Sequence, residues 1–150
     1  MKIIWLEDEP ETIEVILGVI LDECKKIKES DIVVCQSFAS FGDELENIDN
    51  PKECIIIIDI RMNANNEAKF TCNNQEIKVT NKLNSGFEYY NYCIKSNIKF
   101  RDSTIIFYSS KPLSSIKEDA KEHNIDTKLI VTKENSLELL NRVKKSIQGG

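Results

Sequence analysis

Two apolar runs in this chain end in acid. Ile3-Ile4-Trp5-Leu6 runs into Glu7-Asp8, and Cys54-Ile55-Ile56-Ile57-Ile58 runs into Asp59. If the two runs are neighbouring parallel strands, their carboxylates converge at one sheet edge, which is where open α/β proteins hold their ligands. A third run, Thr104-Ile105-Ile106-Phe107-Tyr108, ends in Ser109-Ser110, and a fourth, Lys128-Leu129-Ile130-Val131-Thr132, ends in Lys133. The strand ends thus offer carboxylates, a hydroxyl and an ammonium group in chain order. Carboxylates held this close repel one another, and a hard divalent cation with oxygen ligands relieves the repulsion. Magnesium suits the donors, because it keeps several waters in an octahedral shell and leaves room for a phosphoryl oxygen.

Helices must alternate with these runs to position them. Pro10 suits a first helical turn, and Ile13, Ile16, Leu17, Ile20, Cys24 and Ile27 recur at helical spacing to about Lys28. Residues 31–35 read as a short strand, and Phe41, Leu45 and Ile48 mark a shorter helix before the turn at Asp49-Asn50-Pro51. The run 54–58 is short, β-branched and apolar on both faces, as a central parallel strand requires. Ser85 and Glu88 have capping-box spacing ahead of a helix carrying Phe87, Tyr90 and Ile94, and Ser115 with Glu118 repeats the signal before a helix over 115–123. Asn135 can cap a last helix carrying Leu137, Leu140, Val143 and Ile147. The expectation is α/β: a doubly wound, five-stranded parallel sheet with right-handed crossovers and strand order 2-1-3-4-5.

In that order, Lys2–Pro10, Cys54–Met62, Ser85–Tyr90, Ile105–Ser110 and Ile130–Lys133 resemble the receiver domain of two-component response regulators, a flavodoxin-like fold. The likeness covers nearly the whole chain, 1–150, as one domain. The resemblance implies that Asp59 is the phosphoacceptor, with Asp8 and Asp59 as direct magnesium ligands, Glu7 as a direct or water-mediated one, and the backbone carbonyl of Arg61 completing the set. Lys133 would neutralise charge on the phosphoryl oxygens and Ser109 would donate a hydrogen bond to one of them. It also implies a phosphohistidine donor on a histidine kinase or phosphotransfer protein, and a downstream protein effector read out through helix four, strand five and helix five. A second copy of the chain is an admissible further partner. No catalytic output follows beyond self-phosphorylation and autodephosphorylation.

The chain departs from that pattern in places. Glu134 follows Lys133 where the family has proline, in a bond that is commonly cis there, so this loop is expected rearranged or trans. Ile130 stands where many receivers carry a switch aromatic, and Glu7 replaces the more frequent Asp. The largest departure is an insertion at 63–84, between strand three and helix three. Within it, 68–72 and 75–79 read as a β-hairpin turning at Asn73-Asn74, with Phe70 opposite Ile77 and Ala68 opposite Val79. A lone two-stranded hairpin is marginal in water, so its apolar face should rest on the domain or a partner. The expected seat is beside the mouth of the Asp59 pocket, restricting access.

Composition narrows the alternatives. Twenty basic residues against 25 acidic, net −5, argue against a nucleic-acid surface. Five cysteines without a CxxC pair and one histidine give no zinc cluster and fit a reducing cytoplasm. No apolar stretch approaches the roughly 20 residues of a membrane span, and no signal peptide precedes the first strand. A rival reading is a degenerate pseudo-receiver, a phosphorylation-independent interaction module; the missing proline and switch aromatic favour it, while Asp8, Asp59, Ser109 and Lys133 oppose it. A nucleotide or flavin binder lacks a GxGxxG or P-loop, and a haloacid-dehalogenase-type phosphatase would want an acid where Arg61 stands.

Overall fold

The computed structural model describes residues 1–62 and 68–149. In chain order its elements are β1 (Lys2–Leu6), α1 (Glu14–Glu23), β2 (Ile32–Cys35), α2 (Phe38–Glu46), β3 (Cys54–Ile58), β4 (Lys69–Cys72), β5 (Gln75–Lys78), α3 (Ser85–Tyr89), β6 (Thr104–Ser109), α4 (Leu113–Glu122), β7 (Ile130–Thr132) and α5 (Ser136–Gly149). β2-β1-β3-β6-β7 form a parallel sheet, and β4-β5 a separate antiparallel ribbon. This is the arrangement of a flavodoxin-like fold. The order reads differently from the expected 2-1-3-4-5 because the insertion contributes two strands ahead of the sheet's last two members.

Period-two alternation divides each strand between two cores. Ile3, Trp5, Ile55, Ile57, Tyr108 and Val131 face α1 and α5, packing with Ile13, Ile16, Ile20, Leu139, Leu140 and Val143. Ile4, Leu6, Ile56, Ile58, Phe107 and Ile130 face the opposite layer, with Phe38, Phe41 and Leu45 of α2, Phe87 of α3 and Ile116 and Ala120 of α4. All five residues of β3 are buried, as the central member of a sheet covered on both faces must be.

Several helix boundaries differ from expectation. The first helix is a 3₁₀ turn (Pro10–Ile13) followed by α1, which stops at Glu23 because Cys24 leaves the helical region at φ −107° and ψ 81°. Ile27 is nevertheless buried, so its apparent helical periodicity reports burial in a loop. Ser85 does not cap α3: its hydroxyl accepts the Met62 amide at 2.9 Å. Glu88 reaches out of the helix, accepting from Thr80 N–H (2.9 Å), Thr80 Oγ1 (2.7 Å) and Asn81 N–H (3.1 Å). These three donors satisfy a buried carboxylate and fasten the end of the insertion to α3. α4 begins at Leu113, so Ser115 lies inside its first turn and donates to the Pro112 carbonyl at 2.9 Å. In α5, Leu137 is exposed and Leu139 takes the inward position.

The hairpin has the expected register. Phe70 pairs with Ile77, the Val79 amide donates to the Ala68 carbonyl at 2.9 Å, and Asn73 and Asn74 take φ of 53° and 62°, the left-handed pair that a tight two-residue turn demands. Residues 63–67 of the insertion lie outside the described residues. Past the hairpin, Gly86 lets α3 meet the end of β3: its amide donates to the Ile60 carbonyl at 2.8 Å, and a Cβ there would sit 1.9 Å from the Asp59 carbonyl oxygen.

Candidate functional site

The sheet's hydrogen bonding runs one residue past two strand ends. The Glu7 amide donates to the Cys35 carbonyl at 2.9 Å and the Asp59 amide to the Leu6 carbonyl at 3.0 Å, so both acids start from fixed backbone. Ser109 closes β6 opposite Thr132, one residue before Lys133. The outcome is one pocket lined by Glu7, Asp8, Asp59, Arg61, Ser109 and Lys133, every site residue expected from the sequence. Carboxylate oxygens of Glu7, Asp8 and Asp59 lie within 4.8 Å of one another, and all three residues are buried.

Lys133 crosses the pocket to Glu7. Its Nζ donates to Glu7 Oε1 at 2.8 Å and to Thr12 Oγ1 at 3.1 Å, while Glu7 Oε2 accepts the Glu9 amide at 3.3 Å. The ammonium also lies 5.9 Å from the centre of the Tyr108 ring, within cation–π range. The loop bearing it is braced from below: Tyr108 Oη shares a hydrogen bond with Ser136 Oγ (2.8 Å), and Ser136 Oγ donates to the Lys133 carbonyl (2.9 Å). The Lys133–Glu134 peptide is trans, and a 3₁₀ turn over Lys133–Asn135 leads directly into α5. Ser109 Oγ accepts the Lys111 amide at 3.2 Å, which leaves its proton for a group in the pocket. The Arg61 amide stands 3.5 Å from Asp59 Oδ1.

Burial pushes the Asp59 carboxyl up to about 9, reinforced by the Glu7 charge and a hydrogen bond with Glu7, and opposed by Lys133. Without a cation, burial and the neighbouring carboxylates thus favour the protonated form of Asp59. The donor set fits a hard dication: three clustered carboxylates offer oxygens only, and a double positive charge would remove the repulsion between them.

Sequence reasoning missed Thr12, Lys111 and the Tyr108–Ser136 brace. Lys111 follows a strand end by two residues and had that signal; Thr12 and Ser136 had none, since their roles depend on where α1 and α5 begin. The hairpin also departs from its expected seat. None of its described residues lines the acidic pocket. Phe70 instead packs among Phe38, Tyr89 and Tyr92, at ring-centre distances of 5.5, 5.0 and 6.1 Å, over the groove between α2 and α3. An apolar ribbon face finds aromatic partners there, whereas the pocket mouth offers charge.

No protein-family model, no curated protein and no solved structure matches this chain. Among the described residues, no helix is long and apolar enough to cross a membrane.

Proposed function

We propose that this chain is a receiver-type domain, a magnesium-dependent phosphorylation switch that takes a phosphoryl group on Asp59 and signals to a protein partner. One observation carries the reading: Glu7, Asp8, Asp59, Ser109 and Lys133, spread over the whole chain, line a single pocket at the carboxyl edge of a parallel sheet.

Glu7, Asp8 and Asp59, with the Arg61 carbonyl, would hold the ion. When bound, magnesium supplies positive charge that offsets the carboxylates and the incoming phosphoryl oxygens. An ionised Asp59 oxygen then attacks phosphorus, forming the acyl phosphate, while the P–N bond to the donor histidine breaks and its electron pair stays on the imidazole. Lys133 turns from Glu7 to a phosphoryl oxygen, and the Ser109 hydroxyl donates a hydrogen bond to another. Val15, Val19 and Leu137 expose an apolar groove beside Lys133 and Thr12, a surface suited to a protein that delivers the phosphohistidine. Water attacking the same phosphorus resets the switch.

The rival is a phosphorylation-independent interaction module. It is favoured by the engagement of Lys133 with Glu7 and Thr12 and by buried Ile130 at the switch-aromatic position. The deciding experiment compares amide NMR spectra with and without beryllofluoride plus magnesium, with Asp59→Asn as control. Magnesium-dependent shifts around residues 7–8, 59–61, 109–111 and 133, lost in the variant, are expected. An unchanged spectrum at saturating reagent would leave the interaction module as the reading.

A further inference from the structure

All five cysteines are free thiols, but they fall into two groups. Cys24, Cys35 and Cys54 are buried, and burial raises the last two to about 11, which keeps them unreactive. Cys72 and Cys93 are half-buried, and these two line one cleft. Cys72 ends β4 of the hairpin; Cys93 lies in a π turn, Tyr90–Ile94, that continues α3. The wider turn sends the Lys95 amide to the Tyr90 carbonyl at 2.8 Å, and Cys72 Sγ donates to the Tyr92 carbonyl at 3.2 Å. That bond sets the Cys72 thiol against the residue next to Cys93, and the two thiols interact. Both line one cleft between the hairpin, α2 and α3, together with Gly42, Asn97 and Phe100.

We propose that Cys72 and Cys93 form an oxidisable pair that a peroxide converts into an intramolecular disulfide, tethering the hairpin to α3. The pair joins two elements that otherwise meet through side-chain packing and the Glu88 hydrogen bonds. Burial and the contact with Cys72 hold the Cys93 thiol well above its ordinary range, so Cys72 is the first nucleophile. The Cys72 thiolate attacks a peroxide oxygen; the O–O bond breaks, and Cys72 becomes a sulfenic acid with release of water. Cys93 then attacks the Cys72 sulfur, the S–S bond forms, and the S–O bond breaks with a second water leaving. Two thiols are oxidised and one hydrogen peroxide is reduced to two waters. A dithiol reductant reverses the change by exchange. The acidic pocket shares no lining residue with this cleft, so the inference stands whether or not Asp59 is phosphorylated.

The test treats the whole chain with a slight excess of hydrogen peroxide, blocks remaining thiols under denaturing conditions, and maps peptides without reduction. A loss of two hydrogens is expected, with a Cys72–Cys93 linked peptide, three alkylated cysteines, and full reversal by dithiothreitol. Cys72→Ser and Cys93→Ser should each abolish the link, and Cys93→Ser should leave a dimedone-reactive sulfenic acid at Cys72. Hydrogen exchange on the wild-type chain needs no variant: amides of 69–78 should exchange more slowly in the oxidised protein. A different cysteine pair, disulfides between molecules only, Cys72 left reduced or driven to the sulfinic acid, or unchanged hairpin exchange would overturn the proposal.

Discussion

Glu7 and Lys133, 126 residues apart in the chain, meet in a 2.8 Å ion pair at the carboxyl edge of the sheet. Glu7 is almost wholly buried and Lys133 mostly so. A buried pair of this kind is costly to break by removing one partner, because the other charge is left without compensation. The same Glu7 charge lifts the carboxyl of Asp59.

Replacing Glu7 by Gln should therefore lower the Asp59 pKa from about 9 while weakening magnesium binding. Side-chain carboxyl NMR of Asp59 across a pH titration measures the first effect, and calorimetry with magnesium the second. An Asp59 midpoint that stays near 9 in Glu7→Gln would show that burial alone sets it.

Asp59 also links stability to pH. Its folded pKa lies above its unfolded value, so the folded state binds the extra proton between about pH 4 and pH 9. Its contribution is fully present below the unfolded pKa and is lost as pH rises through the folded one. In cation-free buffer the wild-type Tm should fall over that window, and Asp59→Asn should flatten the slope. The variant should melt several degrees higher at pH 8, since one pKa unit is about 1.36 kcal/mol and each kcal/mol moves Tm by about 2 to 4 °C at this size. Magnesium should raise Tm in the wild type only.

Gly86→Ala should destabilise by more than about 3 kcal/mol, beyond the usual range for overpacking, because the added carbon would meet backbone 1.9 Å away. Urea denaturation gives the size, and a loss below about 1 kcal/mol would mean that α3 can slide away from β3.

Phe70→Ala removes the aromatic anchor of the hairpin. A buried Phe→Ala change typically costs about 3 to 5 kcal/mol. Here the loss should appear as local opening: exchange at 69–78 becomes fast, while amides of β1, β3 and β6 keep their protection. Equal loss of protection in the sheet would show that the hairpin is integral to the fold.

What could be read from the sequence follows a physical division. Apolar runs ending in Glu7-Asp8, Asp59, Ser109 and Lys133 gave both strands and pocket, since burial on both faces and a polar residue at the edge are local facts. Asn73-Asn74 fixed the hairpin register in the same way, through a conformation that few residues tolerate. Roles decided by tertiary partners were not legible. Ser85 and Glu88 have the spacing of a cap, yet their oxygens go to Met62, Thr80 and Asn81, donors that only the folded chain brings near. Leu137 fits the helical repeat and faces outward, and the hairpin sits over α2 and α3 because Phe38, Tyr89 and Tyr92 converge there.

Trp5, the single tryptophan, lies fully buried on β1, two residues before Glu7, its ring edge-on to Tyr108 at 5.8 Å. Tyr108 in turn lies beneath the Lys133 ammonium and bonds the Ser136 brace. The chain thus carries one indole fluorophore, shielded from solvent and joined through the Tyr108 ring to the Lys133 side of the pocket. If the proposed switch operates, the indole emission should change as the acidic edge fills, a label-free optical signal readable on a stopped-flow time scale without any added dye.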